Sequence, residues 1–191
     1  MKSLFLLPVA LAVLAARPEQ PMPAGDWTVD TVHSSVVFRV KHMNTSYFKG
    51  SFAVISGTVS LDPSKPEAGS VQMTIPVDSV DTNNKGRDEH LKNADFFNAK
   101  ENPEITFKST KVAKKGEAFE VTGELAMLGK KKEMTITVEK VGEGKMENTP
   151  IVGYSTKFTI KRTDFGLGSK FDDKMLGNDV ELWIDLELKQ K

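Results

Sequence analysis

Between Trp27 and Leu188 apolar side chains recur at every second position, and this period of two constrains the fold more than any other feature of the chain. Val36, Phe38, Val40 and His42 share one face, while Val37, Arg39 and Lys41 share the other. Val71, Met73, Ile75 and Val77 repeat the pattern, as do Ile105 and Phe107. Phe119, Val121, Leu125 and Met127 make a further run, with Gly123 at the inward position between them. Met134, Ile136 and Val138 follow, then Tyr154, Thr156, Phe158 and Ile160. In the last run Val180, Leu182, Ile184, Leu186 and Leu188 alternate with Glu181, Trp183, Asp185 and Glu187. Successive side chains of a strand point to opposite faces, so each run reads as a strand with one apolar face. The segment from Phe48 to Leu61 completes a set of eight, and its broken alternation near Val54-Ile55 predicts a bulge.

Turn chemistry separates the runs at Asp62-Pro63-Ser64-Lys65-Pro66, Lys114-Lys115-Gly116, Gly129-Lys130 and Gly142-Glu143-Gly144, with Asn102-Pro103 before the fourth strand. Short connections and one apolar face per strand imply antiparallel pairing around a single interior. The first and last strands are both long and strongly alternating, and either one left as an open edge is an aggregation hazard. Pairing first to last removes both edges, which predicts an all-β, eight-stranded antiparallel barrel. Strands of about 8 to 9 residues, at ~3.3 Å each, make it about 28 Å deep. An interior of that width is either filled by side chains or holds one slender ligand. The 191 residues suffice for one such domain.

One segment departs from the period. In residues 87 to 97, Arg87, His90, Leu91 and Ala94 fall at i, i+3, i+4 and i+7, with Phe97 near the same stripe. This predicts a short helix at the barrel mouth, with Leu91 and Phe97 capping the apolar interior. Partial burial of Arg87 demands acceptors, and Asp88, Asp95 and Asp164 are the candidates. The ring of His90 is expected to bond a carboxylate, a carbonyl or a ligand head group.

Composition excludes several function classes. Lys plus Arg and Asp plus Glu both total 26, so no global field attracts nucleic acid or an anionic membrane. Lys130-Lys131-Lys132 reads as a solvated turn. Without cysteine there are no disulfides, thiol nucleophiles or thiolate metal sites, and no thiol for amino-terminal lipidation. Residues 1–16 read as a cleavable signal peptide: a positive start, an apolar run from Leu4 to Ala16, and small residues for the peptidase. That run is shorter than the ~20 residues a spanning helix needs, so no stable membrane insertion is expected. Residues 17–26 form a Pro-rich tail, and the location implied is periplasmic or secreted.

Sites for chemistry are sparse. His33, His42 and His90 lack metal-ligand spacing and come from different elements, so no metal is expected. Ser34, adjacent to His33 on a strand, points to the opposite face and cannot use it as a base. Asp88 and Glu89 point about 100° apart on a helix. Asp172-Asp173 and Asn178-Asp179 lack calcium-loop spacing and read as a hairpin turn. No enzyme activity is expected.

Taken in order, Trp27-x-x-Asp30-x-x-His33-Ser34, Gly50-x-Phe52, Arg87-Asp88-x-His90-Leu91, Asp95-Phe96-Phe97, Pro103-x-Ile105-x-Phe107-x-Ser109, Gly123-x-Leu125 and Arg162-x-Asp164-Phe165-Gly166 resemble the YceI-like family of exported polyisoprenoid-binding proteins. The resemblance runs from about Trp27 to Leu188, within one domain of residues 27–191, and implies a lipocalin-like barrel, free of cofactor, whose tunnel holds a polyisoprenoid or another long-chain lipid. Met127-Leu128-Gly129 departs from the more polar turn the family commonly has there, and the Pro-rich tail is not a family feature. The expected ligand-binding residues are Val36, Phe38, Val40 and His42 on the first strand, Phe52 on the second, and Val71, Met73 and Ile75 on the third. Arg87, His90, Leu91 and Phe97 join them from the helix, Ile105 and Phe107 from the fourth strand, and Leu125 from the fifth. Phe158, Ile160, Leu182 and Ile184 complete the set from the last two strands. Two rival readings remain: a barrel enzyme acting on an apolar substrate, and a filled barrel that serves as an interaction module. A homodimer is left open.

Overall fold

A computed structural model describes residues 24–191, so the signal peptide and most of the Pro-rich tail lie outside the described residues. The strands are β1 (Gly25–Val29), β2 (Ser35–His42), β3 (Ser46–Phe52), β4 (Ser56–Leu61), β5 (Ser70–Pro76), β6 (Val80–Asp81), β7 (Glu104–Lys115), β8 (Ala118–Met127), β9 (Lys130–Met146), β10 (Thr149–Lys161) and β11 (Leu176–Gln190). Two short helices interrupt them, α1 (Lys85–Lys92) and α2 (Arg162–Phe165). Neighbours run β1-β4-β5-β7-β8-β9-β10-β11, and β11 pairs back onto β1 to close the ring.

The closed, eight-stranded antiparallel barrel expected from the period of two is present, with two of its strands broken. β1 and β2 are the two halves of the first strand, and both lie along β11, with Val29 opposite Leu188 and Phe38 opposite Leu182. First therefore pairs with last. β3 and β4 are the two halves of the second strand: β3 pairs with β2, and β4 pairs with β1. The expected bulge at Val54-Ile55 is instead a full break over residues 53–55, where the chain changes partner and Ile55 turns into the core.

Other local expectations are corrected. Gly142-Glu143-Gly144 lies inside β9, and the turn falls at Glu147, whose φ is +56°. Lys130, Lys131 and Lys132 begin β9 rather than forming the turn, which sits at Leu128 and Gly129. Asp172 and Asp173 lie in a long α2–β11 loop, while Asn178 and Asp179 belong to β11, so no tight hairpin exists there.

A polar clamp holds the break in the first strand. His33 lies in a turn, not a strand as the sequence suggested, and its Nδ1 sits 2.7 Å from the buried carboxylate of Asp30. Lys189 Nζ on β11 lies 2.8 Å from the same oxygen, and the backbone N–H of Val32 donates to the other oxygen. Ser34 Oγ accepts from the Glu187 N–H at 3.0 Å, so both residues face β11 after all. The hydrogen bond from His33, then that from Lys189, holds the Asp30 carboxyl far below the ordinary carboxylate range, while burial opposes them.

A carboxyl whose folded pKa is depressed stabilises the fold above its unfolded value of about 3.9 and loses that contribution as pH falls toward the folded value. Asp30→Asn should therefore lower the melting temperature at pH 7 and do so by progressively less as pH falls below about 4. Melting curves of both proteins across that range check it. A difference independent of pH would show that the carboxylate charge is not what clamps the break.

Candidate functional site: an apolar cavity with an aromatic lid

The base of the barrel is closed by Trp27 and Val152, each 1% exposed, with the equally buried Leu188 beside them at the floor of the interior. Higher up, inward residues such as Phe158, Ile160, Leu182 and Ile184 are only half-buried, although cross-strand pairing fixes their direction. They face empty space. A cavity of about 610 Å³ runs through the interior from the mouth down to Leu61, Tyr154 and Leu188, and every one of the 19 residues expected from the sequence lines it, from Val36 on β2 to Ile184 on β11.

Two glycines make room for rings that lie against the wall of this space. A Cβ at Gly123 would lie 2.5 Å from the Phe107 ring, and one at Gly50 would lie 2.4 Å from the Phe38 ring. Any larger residue at either position would force its aromatic partner across the lumen.

The lining residues that are exposed are His42, Met43, Ser46, Tyr47, Arg87, His90 and Met175. They come from the end of β2, the β2–β3 hairpin, α1 and the edge of β11, so the cavity reaches solvent at one end. Helix α1 stands there because β5 ends early and β6 covers only the lower part of β3. It begins at Asn84, whose side chain accepts from the Arg87 N–H. It ends at Lys92, short of the expected Phe97, and this leaves Ala94 exposed beyond the helix. Phe97 still reaches the core, its N–H donating to Leu91 O.

None of the expected carboxylates holds Arg87. Its Nε donates to Thr82 Oγ1 at 2.9 Å, its Nη2 donates to Thr82 O at 2.8 Å, and its guanidinium lies 4.1 Å from the centre of the Phe48 ring. The buried Thr82 hydroxyl in turn donates to Asp88, so that carboxylate orients the arginine through an intermediary. Glu89 points to solvent and pairs with Lys92, so Asp88 and Glu89 form no acid/base couple. His90 has Asp95 at 3.8 Å, too far for a hydrogen bond, and its ring meets Phe96 edge-on at 5.0 Å.

Phe96 stacks on Phe171 with ring centres 5.2 Å apart, joining the segment after α1 to the loop before β11. Lys170 and Asp95 pair across the same junction, and this contact, ahead of His90, lowers the Asp95 pKa. Phe96 was visible beside Phe97, but nothing in the sequence marks Phe171 as its partner.

Arg162 holds this loop in place. It is 1% exposed, and all five of its N–H donors find backbone carbonyls: Gly177, Leu167, Gly168, Phe171 and Leu176, at 2.6 to 3.1 Å. Burial lowers its pKa, with Asp173 and Asp172 opposing. Arg162→Met would remove a donor from five carbonyls, of which the Gly168 oxygen keeps the Phe171 N–H, and should cost about 3 kcal/mol or more. Urea unfolding measures this; a loss below about 1 kcal/mol would mean that water already serves those carbonyls.

Among the described residues, Asp30, His33 and Glu187 bring possible metal-ligand atoms within 4.8 Å of one another. They lie at the strand break, outside the cavity lining, and the Lys189 ammonium already occupies a cation's place against Asp30. His42 and His90 stand at the mouth instead.

A closed antiparallel barrel around an apolar cavity open at one end defines the class of ligand-enclosing barrels. The chain belongs to the YceI-like domain family, whose model matches residues 27–188. It is 37% identical over 170 residues to a UPF0312 protein of Pseudomonas paraeruginosa and 35% identical over 167 residues to protein YceI of Escherichia coli O157:H7, in each case over 86% of both chains. Its structure is similar to Burkholderia cenocepacia BcnA, with a TM-score of 0.76 and 30% identity over 83% of this chain and 98% of that one. It also shares its fold with a polyisoprenoid-binding domain from Saccharophagus degradans, with a TM-score of 0.67 and 17% identity over 86% and 98% of the two chains.

Proposed function

We propose that this chain is an exported binding protein that sequesters or carries a polyisoprenoid or a comparably long apolar molecule in the barrel cavity. The single observation that carries this reading is the cavity itself: about 610 Å³ walled by inward aliphatic and aromatic side chains. Water is a poor occupant of such a space, because it needs two to four polar partners that the walls do not offer. Family membership supports the reading, and the Saccharophagus degradans domain bears the name of the ligand class proposed here. The amino-terminal segment supports a periplasmic or secreted location, and no helix among the described residues is long and apolar enough to cross a membrane.

Burying about 400 Å² of apolar chain is worth about 10 kcal/mol against water. The ligand's alternative in a cell is a bilayer, and against that reference the gain is small. Selectivity then rests on the shape of the cavity and on the polar groups at its mouth. Binding without turnover is the reading favoured over catalysis, since Asp88 is engaged by Thr82 and the Ser34 hydroxyl by the backbone of Glu187.

Mass spectrometry of solvent extracts from the purified protein tests the proposal by identifying a retained lipid. Leu182→Trp supplies the matching variant, because it fills the lumen where the wall is half-buried. It should weaken lipid binding by about tenfold or more while costing less than the ~1–3 kcal/mol typical of overpacking a solid core. Unchanged affinity would place the lipid elsewhere.

Arg87→Ala separates recognition from plugging. As a recognition group, Arg87 should alter the preference between lipids with polar and apolar ends while stability falls by about 1 kcal/mol, the scale of its bonds to Thr82. A large drop in melting temperature with lipid preference unchanged would make α1 a plug.

A further inference from the structure

The barrel wall is not uniformly bonded. β9 gives its first half, residues 130–138, to β8, and its ladder with β10 begins only at Glu139, opposite Ser155. Beyond that pair, residues 156–161 of β10 form ladder pairs with β11 alone. The upper halves of β9 and β10 therefore flank a seam without ladder pairing, fastened at its foot by the Thr156 hydroxyl, which donates to Thr137 O at 2.8 Å. Both sides of the seam face the cavity, through Met134 and Ile136 on one strand and Phe158 and Ile160 on the other.

The inward row of β9 changes character along the seam. Cross-strand register puts Met134, Lys132 and Lys130 opposite Gly123, Leu125 and Met127, so both lysines start from the cavity-facing row. Both are exposed. Solvent thus reaches that face beside the seam, and the flexible lysine stems cover apolar wall without sealing it.

The mouth is tied far more firmly. Arg162 fixes its loop through five carbonyls, Phe171 stacks on Phe96, Lys170 pairs with Asp95, and the Met43 N–H donates to Met175 O. Widening the mouth means disturbing the contacts of the buried Arg162, whereas parting the seam breaks one hydroxyl bond and the packing of α2 and Gly166 against β9 and Lys130 at its top, across edges that share no ladder. A long apolar chain threaded end-on must also leave its lipid surroundings segment by segment. One that passes broadside between two strands does not.

Building on the cavity as a lipid site, we infer that the β9–β10 seam is a lateral portal through which the ligand's chain enters and leaves, while the mouth keeps its frame. The portal sets the rate of exchange and leaves the affinity to the cavity.

The chain has no cysteine, so a cross-link can be placed without background. Thr137→Cys with Lys157→Cys, two residues past the last ladder pair on the outer face, is joined by a short bis-maleimide and verified by mass. Thr122→Cys with Thr135→Cys, whose hydroxyls lie 2.8 Å apart on the outer face of the paired β8–β9 ladder, provides the control. The readout is transfer of a pyrene-labelled long-chain alcohol between phosphatidylcholine vesicles and the full-length protein.

Linking the seam should slow uptake and release alike by about tenfold or more, with equilibrium affinity within about twofold, and the control link should change neither. A verified seam link with unaltered rates overturns the portal and leaves the cavity site standing. Equal slowing by both links also overturns it, since stiffening anywhere in the wall would then suffice. Absence of uptake by the unlinked wild-type protein overturns the cavity reading and the portal with it.

Discussion

Everything in this molecule hangs on the pairing of its first strand with its last. β11 serves three neighbours, β10 along one edge and then β2 and β1 in succession along the other. Without that contact the sheet would curl but stay open, with two long alternating edges exposed to other chains. With it, a row of inward side chains becomes a wall, and the space behind the wall becomes a compartment. The break at residues 30–34 is the cost of serving two partners with one strand, and Asp30, His33 and Lys189 bridge it with charge where the ladder is missing.

The strands were legible in the sequence because burial on one face only writes itself as a period of two. For the same reason the lining of the cavity was legible, down to His42 at its rim. What could not be read were contacts to the backbone. Arg162 engages five carbonyls, and a carbonyl leaves no mark in a residue string, so the residue that frames the mouth stood in the sequence only as the start of the Arg162-x-Asp164-Phe165-Gly166 motif, with no role attached. Arg87 failed as a prediction for a related reason: nearby carboxylates were the visible partners, while Thr82 offered a hydroxyl and a carbonyl together.

Alternation was also silent about bonding. Met134 to Val138 and Tyr154 to Ile160 alternate as cleanly as any runs in the chain, although the ladder between their strands stops at Ser155. Period two reports which way side chains point, not whether neighbouring strands are joined. Glycine misled in the opposite sense, since Gly142 and Gly144 announced a turn that the chain makes three residues later, at Glu147.

The hollow of the barrel and its hydrophobic core share one set of side chains. Trp27 and Val152 close the barrel at one end without lining the cavity, whose wall runs from the mouth down to Leu188. Most of the side chains that hold the barrel together are also the ones that wall its cavity. A substitution at Phe52, Ile105 or Phe119 would change the cohesion of the barrel and the shape of its interior together. The half-buried wall residues, such as Phe158 and Leu182, are where the interior can be reshaped at least cost to the fold.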